Sequence, residues 1–257
     1  MKITILIFIM SVVLGFTVKS QNTSLEFDSV KFNRDLELAG WLSDYEYHTQ
    51  LAVDKLGRQL ENSGADWFSF SENNVWYTIC GKRMENNFLI FKNILTDSLE
   101  NVVNFSGAFD TTKVNACGLA ISKAETHFQS IRDTMEIYFN SFVCVNPDQT
   151  ISVWFFPALQ PSGLAIYGCE WEFIFDKRAA NMIYQKSFVS TIAGVWIGKP
   201  RELWLNYRTS ISPTLGSLFF VVSFREYFTR ISINTQTCTS TISKDQSGNY
   251  LWKHKIK

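Results

Sequence analysis

The side chains that titrate near neutral pH are the natural place to look for chemistry, and this chain has three histidines, His48, His127 and His254. None stands in an HExxH or HxH spacing, so no metal site is expected. Glu170 and Glu172 are two residues apart and share one face of an extended segment, opposite Trp171, Phe173 and Phe175. Paired carboxylates on a rigid strand can do the acid–base work of a glycoside hydrolase. The same alternation is also what a half-buried strand shows when its acids face water. Cys169 follows Gly168 and would be a nucleophile if a histidine stood within hydrogen-bond reach. Trp154, Trp171, Trp196 and Trp204 are candidates to stack on sugar rings, against a background of 22 phenylalanines that points to aromatic core packing. No GxSxG, GxGxxG or Walker loop is present, and no cofactor is expected.

The elements that must position these groups follow from hydrophobic periodicity. Leu38, Leu42, Tyr45, Ala52, Leu56 and Leu60 recur at helical steps, which predicts a helix over about 35–62 with Gly64 as its C-cap. Cys117, Ala120, Ala124, Phe128, Ile131 and Met135 predict a second over about 112–135, capped by Asp110 or Thr111, with Gly118 a weak point. Short apolar runs predict strands at 67–71, 75–80 and 88–95, with Asn73-Asn74 as a hairpin turn. Further strands are expected at 137–145, 151–156, 169–175, 182–187, 218–223, 228–233 and 250–255. The run 151–156 is almost continuously apolar, as in a central strand covered on both faces. Residues 189–216 read as a packed loop. The fold expected is α+β, with two main helices, a largely antiparallel sheet and a β-rich C-terminal half.

Composition narrows the class. Charge is balanced, with 24 Lys+Arg against 24 Asp+Glu, and hydrophobic residues make up 46%. That excludes a disordered chain and argues against a nucleic-acid binder, which needs a basic excess to displace counterions. Lys2 followed by an apolar run to Val18, with Val18 and Ser20 as small residues before Gln21, reads as a signal peptide over 1–20. Residues 21–257 then form a single domain, with no integral membrane segment after signal removal, placed in the periplasm or outside the cell. Removing Lys2 and Lys19 leaves 22 basic and 24 acidic residues. Five cysteines remain, Cys80, Cys117, Cys144, Cys169 and Cys238, an odd number without CxxC spacing that reads as buried small hydrophobes.

Two segments bear a family likeness. The first runs from Ser152 to Pro157 (SVWFFP), through Ser162-Gly163, to Tyr167 to Phe173 (YGCEWEF). The second is Ile211 to Thr214 (ISPT) followed by Leu218 to Val222 (LFFVV). Over about 150–225 they resemble uncharacterised exported bacterial proteins with a JAMM-like HxH…PTxxD segment. The resemblance implies an α+β fold and a non-catalytic relative, and it carries no functional residue onto this chain. The HxH positions fall near Leu205 and Tyr207, and the aspartate position at Gly216 or Ser217, where no metal ligand stands.

The reading that follows is an exported protein of unknown function, expected to be non-enzymatic, with its partners unknown. Two alternatives stand beside it: an aromatic-rich module for glycan or another ligand, and a carboxylate-dependent hydrolase built on Glu170 and Glu172.

Overall fold

A computed structural model describes residues 27–56, 65–73, 75–85, 87–97, 99–107, 110–132, 135–189, 192–198 and 200–257. The expected signal peptide, the Gly64 cap and Asn74 of the hairpin lie outside the described residues. The architecture is α+β and β-rich toward the C-terminus.

Two four-stranded antiparallel sheets form the middle layer. One contains β1 (Asp66–Glu72), β2 (Val75–Met84), β3 (Asn87–Thr96) and β4 (Val102–Asn104) in sequential order. The other contains β5 (Phe139–Val145), β6 (Ile151–Pro157), β8 (Trp171–Phe175) and β9 (Met182–Ser187), in that order. Strand β1 packs beside β5. Every residue of β6 is buried, Ser152 included, as its almost continuously apolar run predicts for a strand with helices on both sides.

Those helices are α1 (Ser29–Leu56) and α2 (Thr111–Ile131). Helix α1 starts before the expected position, and Gly40 does not interrupt it: nothing packs against that position. Helix α2 is capped by the Asp110 carboxylate, which accepts from the Thr112 and Lys113 N–H groups. Gly118, which propensity alone marks as a weakness, is where the Phe88 ring enters. A Cβ there would lie 2.2 Å from Phe88 Cγ. On the α2 side of the second sheet, Phe128 stacks on Phe155 at 4.3 Å and meets Phe139 and Trp171 edge-on. On the opposite side, Phe142 packs against Tyr45 of α1, and Phe142 and Phe156 pack against Phe219.

Phe219 belongs to a helix that the sequence reading expects as a strand. Residues Leu215–Phe224 form α3, not an extended segment over 218–223. A short run that is apolar all round fits a buried helix as well as a buried strand. The Thr214 side chain decides it by accepting from Ser217 N–H at 3.1 Å. The expected packed loop also holds structure: β7 (Leu164–Tyr167) pairs with β10 (Ala193–Trp196), and β11 (Glu202–Asn206) opens the last sheet. That sheet runs β11, β12 (Arg230–Asn234), β13 (Cys238–Lys244) and β14 (Tyr250–Ile256), with β11 parallel to β12 and the other pairs antiparallel. Buried apolar side chains form one contiguous cluster from Phe32 of α1 to Ile242 of β13.

Candidate functional site

The two acids share a strand face, as their spacing requires, but that face is covered by α1 and α3. It is not the solvated face that the alternation suggests. Glu170 is 2% exposed. Its Oε1 accepts from the Tyr207 hydroxyl at 2.6 Å, and Thr214 and the Gly216 N–H at the start of α3 also donate to the carboxyl group. Tyr207 Oη in turn accepts from Gly168 N–H at 3.1 Å. Burial pushes the Glu170 carboxyl up to about 7, against the lowering effect of its three donors. The space is filled: a Cβ at Gly216 would lie 2.2 Å from Glu170 Cδ. Glu172 is half-buried and accepts from the Trp154 indole N–H at 3.1 Å. Burial raises its pKa too, with Lys186 pulling the other way. Each acid thus has its own partners, and they do not converge on a common space. Clefts of about 490 and 420 Å³ open elsewhere, beside β3 and at the start of α2, and neither is lined by Glu170 or Glu172.

Cys169 is fully buried, its Sγ 3.6 Å from Met135 Sδ. Burial pushes the thiol up to about 12, and the neighbouring Glu170 adds to the shift, so a thiolate is strongly disfavoured at neutral pH. No histidine hydrogen-bonds to it. His48 stacks on Trp76, His127 Nε2 meets Gln185 Oε1 at 2.8 Å, and His254 Nδ1 meets Ser240 Oγ at 2.9 Å. All five cysteines are free. Among the described residues, no group of three or more His, Cys, Asp or Glu side chains is placed to hold a metal ion. No helix among them is long and apolar enough to cross a membrane.

The four tryptophans divide into two kinds. Trp154 and Trp171 are each 4% exposed and belong to the core, on opposite faces of the second sheet. Trp196 and Trp204 are 58% and 52% exposed, on β10 and β11. No ring contact joins the exposed pair among the described residues.

The surroundings of Trp204 were not legible in advance, because β13 was not foreseen and β11 fell in the expected loop. Leu203 and Leu205 turn inward with Ile231, Ile233 and Ile242, so Trp204 turns outward by the two-residue period. The pairing registers then place twelve side chains on the outer face in three rows. One row is Trp204, Ser232, Thr241 and Lys253. The rows on either side are Glu202, Arg230, Ser243 and Leu251, and Asn206, Asn234, Thr239 and Lys255. Cross-strand bonds fix this surface. Glu202 pairs with Arg230 at 2.5 Å, Ser232 and Thr241 share a hydrogen bond at 2.9 Å, and Asn234 donates to Asn206 at 3.4 Å. The result is one large aromatic ring at the edge of a rigid field of hydroxyls, amides and charges.

No protein-family model, curated protein or solved structure matches the chain. Leu205 and Tyr207, near which the sequence resemblance would place an HxH pair, are an inward residue of β11 and the donor to Glu170. Gly216 and Ser217, at the aspartate position, are buried in the first turn of α3.

Proposed function

We propose that the protein is an exported, non-enzymatic carbohydrate-binding protein, and that its ligand lies on the outer face of the β11–β14 sheet. The observation that carries this reading is the half-exposed Trp204 ring on a paired strand, with the partly exposed Thr241 in its row and Asn206, Asn234 and Thr239 in the next. A pyranose ring has an apolar C–H face that packs on an indole and a rim of hydroxyls that seek polar partners. An aromatic platform beside Ser, Thr and Asn side chains meets both needs. Trp204 is held by the backbone of a sheet, so little conformational entropy is lost on binding. Export is supported by the apolar, Lys-led segment over 1–20. The closed surroundings of Glu170 and Cys169 favour binding over catalysis.

The test is affinity electrophoresis of the protein through gels containing a panel of neutral and acidic polysaccharides. At least one polymer should retard the wild type and not Trp204→Ala. If no polymer retards the wild type, or if Trp204→Ala migrates like it in all of them, the proposal fails.

A further inference from the structure

We infer that the carbohydrate recognised by this face is an acidic polysaccharide several sugar units long; this rests on the carbohydrate-binding reading above. Strand β14 ends Lys253-His254-Lys255-Ile256-Lys257. The pairing of β14 with β13 sets Lys253 opposite Thr241 and Lys255 opposite Thr239, so both lysines share the face of Trp204. They are exposed, and neither forms an ion pair among the described residues. Lys257 reaches the same face and donates to Asn234 Oδ1 at 2.6 Å. The only carboxylate among the twelve outward side chains is Glu202, which Arg230 neutralises. The face therefore carries an uncompensated positive strip along β14, although the chain as a whole is balanced.

Geometry sets the length of the ligand. Trp204 and Lys253 stand in one row, three strands apart, or roughly 14 Å. A single sugar ring stacked on Trp204 cannot reach that far. A chain crossing the sheet passes over the buried Ser232, meets the partly exposed Thr241 and brings its acidic groups to Lys253 and Lys255, which stand roughly 7 Å apart along β14. Specificity for charge then resides at one end of the row and affinity for the sugar ring at the other.

The full chain is tested against immobilised polygalacturonate and its fully methyl-esterified form, which keeps the sugar backbone and removes the charge. At low salt the acidic form should bind about tenfold more tightly, as two screened surface ion pairs can supply. The preference should vanish at high salt. It should also vanish in the double variant K253E/K255E, whose exposed positions leave the fold intact, while binding to the esterified polymer is retained. Trp204→Ala should weaken binding to both polymers, and galacturonic acid monomer should not compete. Equal affinity of the wild type for the two polymers, or a preference untouched by K253E/K255E, overturns the inference and leaves the carbohydrate-binding reading standing. Duplex DNA bound as tightly as polygalacturonate also overturns it, because the face would then read charge without sugar. Binding to neither polymer, with no other polysaccharide retarding the protein, removes both.

Discussion

The surroundings of Glu170 and of Trp204 are built from similar materials, aromatic rings beside hydroxyls and a charged group, yet they end in opposite states. Around Glu170, helix α3 closes over the strand end, and the carboxyl group is held by Tyr207, with Thr214 and Gly216 as further donors. Around Trp204 no helix of the described residues arrives, and the outer face of β11–β14 keeps its ring and its lysines exposed. The comparison teaches that unusual titration marks a buried group, not necessarily a working one. Glu170 is among the most perturbed acids of the protein because it is sealed. The face proposed to bind contains no group that needs an unusual pKa to do so.

The contrast can be broken by substitution, beginning where the effect is largest. Trp171→Ala empties a core position against Phe128 and should cost about 3–5 kcal/mol in urea unfolding. A loss below 1 kcal/mol would mean that this layer is loosely packed. Tyr207→Phe removes a donor from a fully buried carboxyl group and should cost about 1–3 kcal/mol. A neutral outcome would show that Glu170 is satisfied without it.

The pH dependence is next in size. Burial raises Glu46 and Glu170 to about 7 in the folded state, well above the unfolded carboxyl range. The folded state therefore holds protons that the unfolded state has released. The contribution is fully present below the unfolded pKa and is lost as pH rises through 7. His48 and His254, lowered by burial, act in the opposite sense below the ordinary histidine pKa. The clean readout is thus wild type against Glu170→Gln. Between pH 5.5 and 8 the wild type should lose about 1–2 kcal/mol more than the variant. Parallel pH profiles for the two proteins would contradict the burial argument. The smallest effect is expected at the exposed ring, where Trp204→Ala should change stability by less than about 0.5 kcal/mol. A larger loss would make Trp204 a structural residue and weaken its role as a platform.

Particular residues show how far the sequence could be read. The apolar stripe from Cys117 to Met135 locates α2, although the helix stops at Ile131, and of the two expected caps it is Asp110 that starts it, because helical periodicity and capping are local. The sequence places strand β9 at 182–187, its actual limits, and marks β6 as central because Ser152 is its one polar residue. The run Leu218 to Ser223 was read as strand because its pattern fits either structure, and the decisive bond comes from Thr214 outside the run. Strand β13 has only Ile242 as a long apolar side chain and alternates Cys, Thr and Ser, so its hydrophobic signal was too weak to find. Glu170, Glu172, Trp196 and Trp204 were singled out by type and spacing alone. Their exposure could not be ranked, since Trp171 and Trp204 look equally able to stack on a ligand until neighbouring elements are placed.

By itself the sequence determined most of the helical and extended periods, the Asp110 cap of α2, the balance of charge and the alternation that sets Glu170 and Glu172 on one side of a strand. These depend on neighbours within a few positions along the chain. Only the tertiary structure decided which side of each strand another element covers. It brought α3 over Glu170, and it left β14 beside β13 with its lysines on the same open face as Trp204. Burial is a property of surfaces that meet across long sequence separations, so no local pattern encodes it, and at both places burial separates a sealed carboxyl group from an accessible ring.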